Sequence, residues 1–199
     1  MSEQYFSDDP QSKSDPQKWT YELLGHSLTF TSDVGVFSKN KVDFGSRVLI
    51  EAFVPPETKG PILDLGCGYG PIGLSLAKAY PERELILGDI NRRAVDLARR
   101  NAEENQLTNV KVFLSDQFES LPDQEFAVVL INPPIRAGKK TVYEMFEGAH
   151  RQLTTSGELW VVIQKKQGAP SALNKIASIF REVDVVDKKK GYFVIRGKK

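Results

Sequence analysis

Residues 129 to 139 read Val-Leu-Ile-Asn-Pro-Pro-Ile-Arg-Ala-Gly-Lys, an apolar, β-branched run that stops at an asparagine followed by two prolines. Pro133 and Pro134 fix φ and remove two backbone donors, so this turn can present carbonyl acceptors and the amide of Asn132. Such a set suits a substrate that carries an NH₂ group. The lone pair of an exocyclic amine on a nucleobase is delocalised into the ring, which makes the nitrogen a poor nucleophile. Acceptors on both N–H bonds, the Asn132 side-chain oxygen and the Pro133 carbonyl, favour the tetrahedral nitrogen of the transition state over the planar ground state. No strong general base is required, because the proton becomes acidic only after the nitrogen has reacted. Alone, an Asn-Pro turn is also an ordinary strand ending, so its meaning depends on what lies beside it.

Upstream stands Asp64-Leu65-Gly66-Cys67-Gly68-Tyr69-Gly70, directly after a short apolar run and ahead of a helical pattern. Glycines there permit positive φ and close approach of backbone to a ligand. Asp89 follows about 20 residues on, at the end of the next strand, where a carboxylate can accept both hydroxyls of a ribose. Asp116 ends the third strand, so three consecutive strands deliver acidic groups to the carboxyl edge of the sheet. A dinucleotide loop has the pattern G-x-G-x-x-G and offers a helix N-terminus to pyrophosphate; here the pattern is G-x-G-x-G behind Asp64, and a carboxylate suits a cationic ammonium better than a phosphate.

This constellation resembles the class I methyltransferases that use S-adenosyl-L-methionine, whose mark is an acidic residue and a glycine loop after the first sheet strand. The resemblance implies that Asp64 and the loop residues Gly66, Cys67, Gly68 and Gly70 lie against that cofactor. It implies too that Asp89, with its neighbour Ile90, takes the ribose and that the Asp116 region lies near the adenine. Cys67 sits in the cofactor loop rather than at the fourth strand, which argues against a nucleophile of the cytosine-C5 kind. A wider resemblance runs from about Thr20 to the end. Asp33-Val34-Gly35-Val36-Phe37-Ser38, Asp43-Phe44-Gly45-Ser46, Asn132 to Lys139 and Trp160-Val161-Val162-Ile163-Gln164 look like the ribosomal small-subunit guanine-N2 methyltransferase family in a single-domain form. That family implies N2 methylation of a guanine in ribosomal RNA, with Asn132, Pro133 and Pro134 catalytic, the Gly35 to Ser38 segment lining the pocket, and Arg136 and Lys139 near RNA. Similar Asn-Pro-Pro-aromatic motifs mark amino-methyltransferases in which the aromatic stacks on the flipped base. Ile135 stands in that place here and can only cover a base face, so Phe37 becomes the candidate for stacking. The same two-acceptor chemistry would serve an adenine amine or a protein glutamine amide, and a noncatalytic RNA-binding module is the rival of a different class.

The elements that must carry these residues follow from periodicity. A hairpin, Tyr21 to Leu24 and Ser27 to Thr31, turns at Gly25-His26, and a helix from Asp43 to Phe53 ends at Pro55-Pro56. Strands at 62–65, 84–88, 110–114, 126–131 and 158–164 alternate with helices at 71–80, 92–105, 139–153 and 171–180. Strands 182–186 and 192–196, joined only by Lys188 to Gly191, must form an antiparallel hairpin, because a parallel return needs a longer crossover. Throughout-apolar strands between helices mean a mostly parallel sheet covered on both faces. The expected architecture is therefore α/β and Rossmann-like, with seven strands, an antiparallel C-terminal hairpin and an N-terminal hairpin-and-helix extension. One domain spans 19–199 (extension 19–56, core 60–199) behind a flexible tail at 1–18.

Of the 199 residues, 40% are hydrophobic, enough for one core. With 27 basic and 26 acidic residues the chain has no overall positive coat, but residues 185–199 hold a net +5. Lys39, Lys41, Arg136, Lys139, Lys140, Lys165 and Lys166 fall on loops expected at one sheet edge, where they could neutralise phosphates of ribosomal RNA or of a small ribosomal subunit. The single Cys67 and the absence of a signal-like or membrane-length apolar run point to a cytoplasmic protein with no membrane partner. His26 and His150 lack metal-ligand company, so no metal is invoked. The oligomeric state is left open.

Overall fold

The computed structural model describes residues 13–36, 38 and 41–199. A two-stranded hairpin, β1 (Gln17–Leu23) and β2 (His26–Ser32), is followed by helix α1 (Phe44–Ala52) and by the main sheet. The sheet holds β3 (Ile62–Leu65), β4 (Leu85–Asp89), β5 (Val110–Leu114), β6 (Phe126–Ile131), β7 (Leu153–Gln164), β8 (Glu182–Lys189) and β9 (Tyr192–Lys198), in the order β5-β4-β3-β6-β7-β9-β8. Five strands are parallel, and β9 runs antiparallel to both β7 and β8. Helices α2 (Pro71–Ala79) and α3 (Arg92–Glu104) join α1 on one face; α4 (Lys139–Gln152) and α5 (Ala169–Ala177) cover the other. The order reverses between β3 and β6, and open α/β sheets bind ligands at such a switch point, outside the carboxyl ends of the strands.

Local chemistry sets the helix starts. Asp43 caps α1 by accepting from Ser46 N (3.0 Å), Asn91 caps α3 by accepting from Ala94 N (3.2 Å), and Pro71 opens α2 behind the left-handed Gly70. The N-terminal hairpin stays out of the main sheet and docks on α3 through side-chain amides. Asn101 exchanges hydrogen bonds with the backbone of Thr31 and Asn105 with that of Thr29, so two asparagines stand in for a strand neighbour.

Several boundaries differ from the sequence expectation. β1 begins at Gln17, inside the stretch expected as tail, because its ladder to β2 reaches Ser32; just ahead of it Ser14 and Asp15 N donate to Asp33. The turn is Leu24-Gly25, one residue early. β7 starts at Leu153, directly after α4, through a bulge that lets Phe126 pair with Leu153 and Val128 with Glu158. β8 and β9 run to Lys189 and Lys198, leaving only Lys190-Gly191 to turn, and α5 spans 169–177 rather than 171–180 because the left-handed Gly168 starts it two residues sooner.

Candidate active site

Strand alternation decides which side chains meet. The face under α1, α2 and α3 takes Ile62 from β3, Leu85 and Leu87 from β4, Val128 and Leu130 from β6, Trp160 and Val162 from β7, and Val194 from β9. The period of two then puts Asp64, Asp89, Asn132, Gln164 and Tyr192 on that same face, at or next to the carboxyl edge. A cavity of about 820 Å³ opens there.

Its floor is the glycine loop. Gly66 N and Cys67 N both donate to Gly88 O (2.8 and 3.1 Å), and Gly68 N donates to Asp89 Oδ2 (2.8 Å), which ties the loop to the end of β4. Gly66, Gly68 and Gly70 have φ of +76°, +57° and +95°. At Gly66 and Gly68 nothing lies within 4 Å of where a Cβ would stand, so a side chain there would project into open space that a ligand could use. Asp89 Oδ1 accepts from Asn91 N (2.9 Å), so both carboxylate oxygens are anchored at the cavity wall. Burial raises Asp89 to about 6 despite the N–H groups of Asn91, Gly68 and Ile90. Asp64 is 1% exposed and does not line the cavity; its Oδ2 accepts from Gly73 N (2.8 Å) at the start of α2. Burial raises Asp64 to about 7, against the Gly73 N–H and with the nearby Asp89 carboxylate adding to the rise. Both carboxyls thus favour the neutral form more than usual, and a hydroxyl-donating ligand in the cavity would draw Asp89, which lines it, back toward ionisation.

Asn132 forms the opposite wall. Its Nδ2 donates to Asp43 Oδ1 (3.3 Å) and to Ser46 Oγ (3.1 Å). A carboxylate can only accept, so this contact settles which end of the amide is the nitrogen. No donor among the described residues engages Asn132 Oδ1, and the half-buried residue lines the cavity. Pro134 O is taken by Ala137 N (2.8 Å) in the 3-10 turn Ile135–Ala137, which leaves the Pro133 carbonyl as the turn's other candidate acceptor.

Of the residues singled out from the sequence, Gly66, Cys67, Gly68, Asp89, Ile90, Asp116, Asn132, Pro133, Pro134, Ile135 and Arg136 line this one cavity. Asp64, Gly70 and Lys139 do not: Asp64 and Gly70 set the start of α2, and the Lys139 ammonium lies 5.2 Å over the Tyr143 ring. Phe37 and Lys39 lie outside the described residues. The burial of Cys67 pushes its thiol well up, away from a reactive thiolate. Sequence reasoning did not assign Asp43, Ser46 or Tyr192 a role. An aspartate three residues ahead of a serine at a helix start was a visible capping signal, but its reach to Asn132, 89 positions away, was not.

Lys41, Arg136, Lys139, Lys140, Lys165 and Lys166 are exposed on loops or helix starts at the carboxyl edge around the cavity mouth. The β8–β9 turn joins them, because Lys165 N donates to Gly191 O (2.7 Å) and so brings Lys188, Lys189 and Lys190 to the same edge. Lys189 is paired with Glu51 (2.7 Å).

Residues 27–196 match the methyltransferase small domain family. The chain is 56% identical to the uncharacterized protein YbxB of Bacillus subtilis (strain 168), over 100% of both chains. It is 35% identical to the ribosomal RNA small subunit methyltransferase C of Enterobacter sp. (strain 638), over 88% of this chain and 51% of that one. Among solved structures it resembles the T. thermophilus 16S rRNA N2 methyltransferase RsmC in complex with AdoMet and guanosine, with a TM-score of 0.81 and 26% identity over 92% of this chain and 50% of that one. The chain therefore spans about half the length of the ribosomal RNA methyltransferases it matches. No helix among the described residues is long and apolar enough to cross a membrane.

Proposed function

The chain belongs to the methyltransferase small domain family, and from that premise we propose that it transfers methyl from S-adenosylmethionine to the exocyclic N2 amine of a guanine in small-subunit ribosomal RNA. The observation that carries this reading is the amide of Asn132. Asp43 and Ser46 hold its nitrogen, so its oxygen is the end left to accept an N–H in a cavity that also contains the glycine loop. The ribosomal RNA methyltransferases among its relatives, and the guanosine complex of its structural neighbour, support the choice of base and of RNA.

The residues fit the cofactor. Asp89 offers an anchored carboxylate to ribose hydroxyls, Gly66 and Gly68 leave open floor beneath a ligand, and Asp116, Ile90 and Ser115 form the wall beyond. When bound, S-adenosylmethionine supplies an electrophilic methyl on a sulfonium. Asn132 Oδ1 and the Pro133 carbonyl accept the two N–H bonds of the amine, steering its lone pair out of conjugation and toward that methyl. The two prolines and the Asp43–Ser46 anchor keep those acceptors fixed, so little reorganisation is left for the reaction itself. Asp64 acts from behind the wall, holding Gly73 and with it the start of α2 against the loop. The lysines and Arg136 around the mouth meet phosphates of the RNA that carries the base.

The test is transfer of tritiated methyl from labelled cofactor to small ribosomal subunits that lack their native modifications, followed by nucleoside analysis. N2-methylguanosine is expected. Label in methyladenine, or in ribosomal protein, would replace this substrate with another amine acceptor.

A further inference from the structure

A base whose amine reaches Asn132 must lay its ring in the same cavity, and bases drawn out of a strand are held by hydrogen bonds to their edges together with stacking, for which aromatic faces serve best. Ile135, directly after the Asn-Pro-Pro turn, has no π-system to offer. Among the described residues that line the cavity the aromatics are Tyr69 and Tyr192. Tyr69 is 1% exposed, with its ring set edge-on against Trp19 and Phe30 at 5.7 Å each, and its hydroxyl donates to Lys41 O (3.2 Å). It is part of the core. Tyr192 differs: it is half-buried, stands at the first position of β9 opposite Gln164, and shares the sheet face of Asn132.

Its ring is also held in relation to the amine site. A Cβ on Gly45 would lie 3.0 Å from Tyr192 Cε1 and 3.1 Å from Asp43 Oδ1, so ring and carboxylate meet over the same small space on α1, where a side chain would press on both. That carboxylate oxygen is the one that holds Asn132. Phe44 supports the ring from α1 at 5.5 Å between centroids, inclined at 57°.

We propose that Tyr192 is the aromatic surface on which the target base stacks, supplying from β9 what Ile135 cannot supply from the Asn-Pro-Pro turn. The inference rests on the methyl-transfer reading above and adds the residue that orients the base. The ring is the working part, and the hydroxyl is dispensable.

Steady-state methylation of unmodified small subunits by the full chain separates the possibilities, with cofactor affinity measured in parallel by calorimetry. Tyr192→Phe should keep its KM for RNA within about twofold of the original, whereas Tyr192→Leu should raise it about five- to a hundredfold, the span expected for one base–aromatic stack. The affinity for S-adenosylmethionine should stay unchanged in both. Adding Ile135→Phe to Tyr192→Leu should bring the raised KM most of the way back, because it returns an aromatic face to the cavity that both residues line; a merely structural Tyr192 would not be rescued in this way. An active original whose Tyr192→Leu variant keeps its KM, or a Tyr192→Phe variant as impaired as Tyr192→Leu, would overturn the inference alone. An original chain that methylates no RNA amine would overturn it together with the reading on which it rests.

Discussion

Asn132 Nδ2 lies 3.3 Å from Asp43 Oδ1, the same oxygen that accepts from Ser46 N at 3.0 Å and caps α1. One carboxylate therefore starts a helix of the N-terminal extension and orients an amide at the tip of β6. The two roles can be separated. Serine is as good an N-cap as aspartate, but its shorter side chain does not reach the amide. Asp43→Ser should melt within a few degrees of the original while its kcat for methyl transfer falls about tenfold to a hundredfold, the worth of a hydrogen bond to a charged group. A variant with lowered stability and full turnover would show that the contact serves only α1.

Removing the acceptor itself should act on the chemical step. Asn132→Ala deletes an interaction made mainly in the transition state, so transfer should be lost while cofactor affinity changes by less than about tenfold. Single-turnover methylation and cofactor calorimetry on one preparation test this. Loss of cofactor binding in proportion to activity would instead make Asn132 a part of the cofactor pocket.

Legibility in the sequence followed the range of the forces involved. β3 and β6 fall at the bounds expected from their apolar runs, because strands buried on both faces leave little choice of pattern; β5, at the sheet edge and only half-buried, keeps its expected bounds as well. The glycine loop and Asp89 could be placed together because β3 and β4 are neighbours whose pairing carries Leu65 beside Gly88. What the sequence concealed depended on contacts between distant segments. The role of Asp64 behind the wall depended on α2 setting Gly73 N against its carboxylate, the early start of β1 on a ladder that reaches Ser32, and the place of Tyr192 on the antiparallel return of β9. The net +5 of residues 185–199 carried no position in the sequence; the bond between Lys165 and Gly191 puts the turn of that stretch at the cavity edge.

The buried Asp64 makes stability depend on pH in a defined direction. Its value in the folded chain, about 7, lies above the ordinary 3.8, so the folded state binds the proton more tightly than the unfolded one. The stabilisation from that proton is complete below about pH 4 and is lost as pH rises toward 7. Asp64→Asn cannot titrate and can still accept from Gly73 N. Without cofactor, the melting temperature of this variant relative to the original should rise from pH 5 to pH 8, by the equivalent of about 2–3 kcal/mol. Parallel melting curves across that range would mean that Asp64 is not the group being ionised.

Asp89 should impose a pH dependence on cofactor binding. Hydroxyl donors favour its ionised form, whereas burial favours the neutral one and raises it to about 6. Affinity for S-adenosylmethionine should therefore be level above about pH 7 and weaken as pH falls through 6. Asp89→Asn should bind more weakly and lose that dependence. A dependence that survives in Asp89→Asn would point to another titrating group.

If the carboxyl edge meets RNA phosphates, the lysines there should appear in the salt dependence and those at the opposite edge should not. Lys165 and Lys166 are exposed in the 3-10 turn after β7, beside the cavity mouth; Lys59 and Lys78 are exposed before β3 and at the end of α2, at the far edge. Each phosphate contact to a single strand contributes about 0.7 to the slope of log affinity against log salt. Changing both Lys165 and Lys166 to Gln should make that slope shallower by about 1.4 and raise KM for RNA with little change in kcat. The same change at Lys59 and Lys78 should leave the slope as it was. Equal slopes for the two double variants would remove the argument that RNA approaches over this edge, because both keep the same net charge and differ only in where the charge was lost.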